Sequence, residues 1–254
     1  MKKSMFYLVK YEVLSNLYNG YSFFFGAIFP IFLMVIISKG ALNDVPSKLK
    51  PELTAGLLIG MSMIIPLSTM FIGYAATFSN ELEKDVPVRL SLFGMSGTRL
   101  FMGKLIANYV FLTFCFALYL VGTLCFVTIA SPKPTAVVIW IAAIYLMSGF
   151  CIALAHGIAN IIRRFGITYA LVMAIYFTIM ALGGMMGIKL KDLPLELQNI
   201  SKLFPFTHFS NGYIDFWMGR DYNFAPLIHS LIFFAAISIG VMMISFKVRG
   251  RAES

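Results

Sequence analysis

The sequence predicts an all-α polytopic membrane protein with six transmembrane helices, an interfacial N-terminal helix and re-entrant outer helices before the last span. Of its 254 residues, 59% are hydrophobic and 12% are charged, whereas a soluble domain has roughly 25% charged residues. A soluble protein of this length could not bury so much apolar surface. The composition therefore excludes a soluble enzyme, a disordered chain and a nucleic-acid-binding domain.

The spans are apolar runs close to the roughly 20 residues that cross a bilayer core. They form one transmembrane domain over residues 1–254, and Pro30 and Pro66 are expected to disturb the first two. Before them, Phe6, Val9, Val13 and Leu17 recur at helical spacing, which predicts the interfacial helix. The six spans are expected at about residues 21–38, 54–78, 105–130, 136–162, 166–188 and 226–246.

The loops between the spans indicate the orientation of the chain. With the N-terminus inside, twelve of the 20 Lys and Arg residues lie in the inner loops and termini, and eight lie in the outer loops. Positive charge collects on the cytoplasmic side of membrane proteins. Both termini are therefore predicted to be cytoplasmic.

The chain carries few groups that could do chemistry. Apart from histidines, the six spans contain no ionisable side chain of the kind that marks ion or proton pathways. A phosphate loop is absent, because five residues separate Gly97 from Gly103 and Leu105 replaces the required Ser or Thr after Lys104. The three cysteines lack metal or disulfide spacing. We expect no catalytic residue, no metal and no cofactor in this chain.

Two histidines leave an enzymatic alternative open. His156 precedes Asn160 by one helical turn and His208 follows Phe204 by four residues, spacings that resemble fragments of membrane-embedded metalloproteases. The paired glutamates of those families are absent, the fragments occur in reverse order, and the predicted topology puts them on opposite sides. A catalytic zinc also needs three converging protein ligands.

Residues 79–104 form the inner loop with the most distinctive pattern. Charged residues crowd directly after the second span, Pro87 then begins a short apolar run that Gly94 closes, and Ser96 can cap the next helix. This pattern predicts a short amphipathic helix that docks a cytoplasmic partner, with a plain solvated loop as the alternative. The candidate docking residues are Glu81, Glu83, Asp85, Arg89, Leu90, Leu92 and Phe93.

Residues 189–224 form the long outer loop. Leu193, Leu197, Ile200 and Phe204 share one helical face, and a second aromatic pattern follows Pro205. We expect two short amphipathic helices that form an outer lid, with a simple aromatic belt as the alternative. The candidate gate residues are Phe204, Pro205, Phe206, Phe209 and Trp217.

The second and fifth spans combine GxxxG motifs with many methionines. Small residues allow close helix approach, and thioethers form adaptable apolar surfaces. Either ordinary bilayer packing or a substrate pathway along a dimer seam explains this pattern. The candidate lining residues are Met61, Met63, Met70, Phe71, Met173, Phe177 and Met180.

This layout resembles the type-2 class of ATP-binding-cassette exporter permeases. The six spans, the inner loop around Glu81–Leu100 and the segment Leu203-Phe204-Pro205 before the last span carry the resemblance. It implies a coupling helix in residues 79–104, an outer gate in residues 189–224 and a pathway along spans two and five. It also implies a multi-pass protein of the bacterial plasma membrane.

The resemblance implies partners as well. ATP and Mg²⁺ are expected in a separate cytoplasmic ATPase subunit, and a second permease copy or a paralogue completes twelve spans. No span carries a ring of polar groups suited to a sugar chain, and the resemblance implies amphipathic or hydrophobic peptides as substrates. The family resemblance points to phenol-soluble-modulin or bacteriocin-type peptides, and lipophilic drugs come next. A membrane anchor that only recruits an ATPase is the other alternative.

Overall fold

The computed structural model describes residues 2–42, 45–186 and 190–252. Helix makes up 82% of the structure, and the described residues contain no strand. The first helices are α1 (Lys2–Tyr18), α2 (Gly20–Phe23), a π-helical turn (Phe24–Ile28), α3 (Phe29–Ala41), α4 (Lys50–Ser62), α5 (Ile64–Pro66), a second π-helical segment (Leu67–Gly73) and α6 (Tyr74–Glu83). The remainder are α7 (Val86–Leu92), α8 (Gly97–Leu124), α9 (Pro134–Ile162), α10 (Phe165–Leu182), α11 (Leu195–Ser201), α12 (Pro205–Asn211), α13 (Tyr213–Trp217) and α14 (Ala225–Ala252).

Five helices in the described ranges are long and apolar enough to cross a membrane, and they correspond to the second to sixth predicted spans. The first predicted span, residues 21–38, is helical but its apolar helix Phe24–Gly40 is shorter than these five. The five are Lys50–Glu83, Gly97–Leu124, Pro134–Ile162, Phe165–Leu182 and Ala225–Val248.

A π-helical segment lies beside each of the two prolines in the early spans. The Phe29 N–H donates to the Phe24 carbonyl, five residues earlier, directly before Pro30. The second π-helical segment, Leu67–Gly73, begins immediately after Pro66. Because proline has no N–H to donate, the helix accommodates each one by widening a turn, and it continues on the other side.

The fifth span is shorter than predicted because a glycine cap ends it. The helix stops at Leu182, and Gly184 adopts a φ of 78°. Its N–H donates to Ala181, while the next N–H, that of Met185, donates to Met180. This pair of bonds is the Schellman arrangement, which favours glycine at the left-handed position. Residues 187–188 of the predicted span lie outside the described residues.

The helix Lys50–Glu83 lies at the centre of the bundle. Of its most apolar stretch, 89% is buried inside the chain, against 22% to 44% for the other four long helices. Its sequence is apolar on all sides, as expected for a helix surrounded by others. It extends from α12 at Gly60 to Glu83 at the opposite end of the bundle. The terms inner and outer follow the predicted orientation, with Glu83 at the inner end.

Helices α9 and α14 approach each other closely at Gly157. A Cβ added at Gly157 would lie 2.9 Å from backbone atoms of Val241 and Met242. Close backbone approach at a small residue is a common device of transmembrane packing. The absence of a side chain at Gly157 therefore sets the separation of these two helices.

We predict that Gly157→Leu lowers the melting temperature of the detergent-purified protein, because its side chain forces α9 and α14 apart. Fluorescence-detected size-exclusion chromatography after heating measures this. Gly240→Ala is the matched control on α14, since a Cβ there meets nothing within 4 Å. Equal melting temperatures for both variants would contradict the assigned contact.

Candidate functional site: the inner end of the bundle

The short helix predicted after Pro87 is present as α7, Val86–Leu92. Asp85 precedes it with a left-handed φ of 53°, and Gly94 follows it with a φ of 79°. Leu92 and Phe93 at its end are 82% and 88% exposed. Helix α7 thus presents two large apolar side chains on a defined turn at the surface of the chain.

Glu81 and Glu83, predicted to lie in the loop, belong to helix α6 instead. The helix continues to Glu83 because both acids find partners inside the chain. Glu83 Oε2 accepts a hydrogen bond of 2.7 Å from the Phe165 N–H at the start of α10, where a carboxylate suits the positive end of the helix. Of the predicted docking residues, Asp85, Arg89, Leu92 and Phe93 are exposed and Leu90 is half-buried.

Glu81 is part of a buried ion triad with Glu12 and Lys104. The Lys104 Nζ lies 2.8 Å from Glu12 Oε1 and 2.6 Å from Glu81 Oε1. The Lys104 side chain is 3% exposed. One ammonium group thereby joins α1, α6 and α8 at the inner end of the bundle.

A second polar pair lies one helical turn along the same interface. Asn16 Nδ2 donates to Asn108 Oδ1 at 3.4 Å, and Asn108 also donates to the Lys104 carbonyl. Helix α1 therefore directs Glu12 and Asn16 against α8, whereas Phe6 and Tyr11 are exposed. The i, i+4 spacing of the Glu12–Asn16 and Lys104–Asn108 pairs on two apolar helices was the sequence signal for this interface.

His156 is held in an aromatic cluster and not in a metal site. Its Nδ1 lies 2.7 Å from the Tyr74 hydroxyl and its Nε2 lies 3.0 Å from Asn160 Nδ2. The ring stacks on Phe78 with a centroid separation of 4.6 Å. Among the described residues there is no group of three or more His, Cys, Asp or Glu that could hold a metal ion.

His208 lies far from His156, on the outer helix α12. Its Nε2–H donates to the Lys202 carbonyl at 2.9 Å, and partial burial lowers the pKa of His208. Helix α12 contacts the central helix at Gly60, whereas His156 contacts it at Tyr74, about 20 Å further along at 1.5 Å per residue. The two histidines are not parts of one site in this structure.

The predicted outer lid folds back onto the central helix. Pro205 begins α12, and Phe206, Phe209 and Trp217 are buried while Phe204 is half-buried. A Cβ added at Gly60 would lie 3.3 Å from Ser210, so the GxxxG motif of the second span receives α12 within the same chain. The residues predicted to form the gate are thus packed against the bundle in this structure.

An ion cluster fixes the end of the outer segment. Arg220 binds both carboxylate oxygens of Glu52 at 2.7 and 2.8 Å and contacts Asp215 Oδ1 at 3.0 Å. The hydrogen bonds that Arg220 donates to Glu52 and Asp215 raise the pKa of its guanidinium. Because Arg220 is exposed, this cluster positions α13 relative to α4 more than it stabilises the fold.

The predicted pathway residues are mostly interior. Phe177 is 41% exposed and Met173 is half-buried, so these two have surface outside the core of the chain. The others are buried in the single chain: Met61, Met63, Met70, Phe71 and Met180. Their role in a pathway stays a prediction.

These features define a polytopic membrane protein. The exposed apolar end of α7 follows helix α6, which a buried ion triad holds to α1 and α8. Residues 39–247 match the family described as ABC-2 family transporter protein. The match covers more than half of the chain, and the protein belongs to this family of ABC transporter membrane subunits. The family implies an ATPase partner subunit, and its members are transport subunits that are generally not catalytic themselves. No curated protein matches the chain in sequence.

We predict that Lys104→Met strongly destabilises the protein, because it leaves Glu12 and Glu81 near each other without a counter-charge. Breaking a buried ion pair by removing one partner costs about 3–5 kcal/mol. The triple variant Lys104→Met, Glu12→Gln, Glu81→Gln should recover most of the lost stability. Thermal unfolding of the purified protein measures both.

Lys191→Met is the control. Lys191 is exposed in the long outer loop, so its replacement should leave the melting temperature unchanged. If the triple variant melts as low as Lys104→Met, charge compensation is not the basis of the triad.

Proposed function

We propose that this chain is the permease subunit of an ATP-driven exporter of the bacterial plasma membrane, with both termini cytoplasmic. Its substrates are amphipathic or hydrophobic peptides, or lipophilic drugs. The observation that carries the proposal is the pair Leu92 and Phe93 at the end of α7, which are 82% and 88% exposed. Large exposed apolar groups mark interaction sites when they are held at a defined surface.

The partner that fits α7 is a soluble ATPase with an apolar groove. Arg89 lies in the last turn of α7 and adds a charged rim beside Leu92 and Phe93, as at the edges of protein interfaces. Glu81 and Glu83 contribute to docking indirectly. They hold α6, the helix before α7, to Lys104 and to α10. ATP and Mg²⁺ bind in the partner and not in this chain.

Six spans and a second permease copy, or a paralogue, complete the proposed exporter. The helical stretch from Gly20 to Ala41, including its π turn, serves as the first span. At 1.5 Å per residue it reaches about 30 Å, the thickness of the hydrocarbon core. The exposed ring of Phe177 supports a seam with the second copy along the fifth span.

Export proceeds by alternating access between two states that contact the partner differently. ATP binding moves the partner, α7 follows it, and the central helix shifts relative to its neighbours. Met61, Met63 and Met70 are buried in the present conformation. They line a pathway only after α12 and α13 have moved away from α4, which is the opening of the outer gate.

We predict that Leu92→Asp and Phe93→Asp abolish association with the ATPase subunit without lowering the melting temperature, since neither side chain is buried in the permease. The candidate ATPase is a soluble protein with a GxxxxGK[ST] motif encoded by a neighbouring reading frame. Co-purification and ATP hydrolysis by the complex measure the loss of association. We expect a loss of at least about tenfold, because two apolar anchors of the interface are removed.

Leu195→Asp is the matched control, because Leu195 is 67% exposed on the outer helix α11. Charge reversal at Glu81 is a poor test of the docking role of α7, because it would break the ion triad. Normal assembly of the Leu92 and Phe93 variants would refute the docking role of α7. Assembly without any ATP-dependent transport would favour the membrane-anchor alternative.

A further inference from the structure

A cavity of about 400 Å³ lies between the first span, the central helix and the start of α10. It is bordered by the first π-helical turn through Phe25 and by the second through Ser68, Ile72 and Gly73. π-helical turns inside α-helices occur frequently at functional sites. The cavity is separate from the ion triad, from α7 and from the predicted methionine lining.

Polar but uncharged side chains line one part of this cavity. They come from two different helices, so no single span of the sequence displays them together. Phe25, Phe165 and Tyr169 supply aromatic surface beside them, and the rings of Phe165 and Tyr169 stack at 5.6 Å. The polar side chains are those of Asn19, Ser22, Ser68, Thr77 and Asn80.

Several of these groups have hydrogen-bonding capacity that the chain does not use. Ser22 is 5% exposed, and its hydroxyl belongs to the cavity lining. Asn80 contributes a side-chain amide at the exposed edge of the cavity. Ser68 and Thr77 donate to carbonyls of their own helix, which leaves their oxygen lone pairs as acceptors. The cavity wall therefore offers hydroxyl and amide groups, both donors and acceptors, to a bound polar group.

The lining also restricts the charge of that ligand. None of the lining residues in the described part of the chain is Lys, Arg, Asp or Glu. An ionised group placed here would lose its hydration without gaining a counter-charge, which is expensive in an apolar surrounding. Hydroxyl or amide groups, by contrast, find both donors and acceptors, and an apolar tail finds the aromatic rings.

We propose that this cavity binds the polar part of an amphiphile whose head is uncharged and rich in hydroxyl or amide groups. The inference rests on the proposed exporter function, because it assigns the cavity to the transported substrate. It narrows the proposed substrates, which are amphipathic or hydrophobic peptides and lipophilic drugs, to those whose polar part is neutral. The aromatic side chains Phe25 and Phe165 contact the beginning of the apolar tail.

The test uses the full chain in nanodiscs and an alkyl glucoside that carries a photoactivatable diazirine in its chain. Cross-linked peptides should map to residues 19–25, 68–80 and 165–169. Octyl glucoside should compete for labelling, whereas octyltrimethylammonium and octyl sulfate should compete at least about tenfold more weakly, since a charged head is desolvated without a partner. Equal competition by all three heads, or labelling elsewhere, would overturn the proposal.

Ser22→Ala and Asn80→Leu remove hydrogen-bonding groups while nearly preserving volume. Each should weaken labelling by about two- to tenfold, the effect of one lost hydrogen bond. Asn199→Leu on the exposed face of α11 and Thr178→Val on the exposed face of α10 are matched controls. Unchanged labelling in Ser22→Ala and Asn80→Leu would overturn the assigned contacts.

A neutral head group could also come from a resident bilayer lipid, and a transport arm distinguishes the two sources. In vesicles with the ATPase subunit, ATP-dependent movement of the glucoside supports a substrate site. Head-group selectivity without such movement, in a complex that hydrolyses ATP, overturns the substrate assignment in favour of a lipid. Selective binding by a chain that associates with no ATPase overturns the exporter function but supports the ligand class of the cavity.

Discussion

The buried ammonium of Lys104 is the interaction on which the inner end of this protein depends. It bonds to Glu12 of α1 and Glu81 of α6, which lie 69 residues apart in the sequence. In a chain whose spans are otherwise apolar, a single buried charge must be neutralised locally. That requirement fixes α1 and the end of the central helix against α8, and it defines the point from which α7 begins.

The central helix connects the ion triad to the other end of the molecule. One helix from Lys50 to Glu83 meets α12 at Gly60, the cavity at Ser68 to Asn80 and the ion triad at Glu81. The outer and inner ends of the protein are therefore connected by covalent helical backbone, and not only by packing. The two ends differ in what holds them: a close helix contact and an exposed ion cluster outside, and a buried ion triad inside.

Local patterns in the sequence predicted local structure well and long-range pairing poorly. The turn residues Pro87, Gly94 and Ser96 predicted α7 and the start of α8, and the structure contains both, with Ser96 accepting from the Arg99 N–H. The interior position of Glu81 was missed, because its partner Lys104 lies 23 residues away along the chain and Lys104 in turn binds Glu12, 92 residues away. The methionine pattern left bilayer packing and a pathway seam as alternatives, because burial depends on which faces the neighbouring helices cover. The cavity was missed for the same reason, since its polar residues are distributed over two helices.

The position of the second π-helical segment explains how a rigid central helix could serve a transporter. Its outer half is held by α12 at Gly60, and its inner half by Lys104 at Glu81 and by His156 at Tyr74. Leu67–Gly73 lies between these two halves, where the Ser68 and Thr69 hydroxyls bond to carbonyls at positions 64 and 65. A π turn and an α turn differ by one residue in hydrogen-bond register, so a change of register here rotates one half relative to the other. In the proposed exporter, a displacement of α7 acts on the inner half of the central helix. The cavity lies where the two halves meet, so a rotation of one half changes the walls of the cavity.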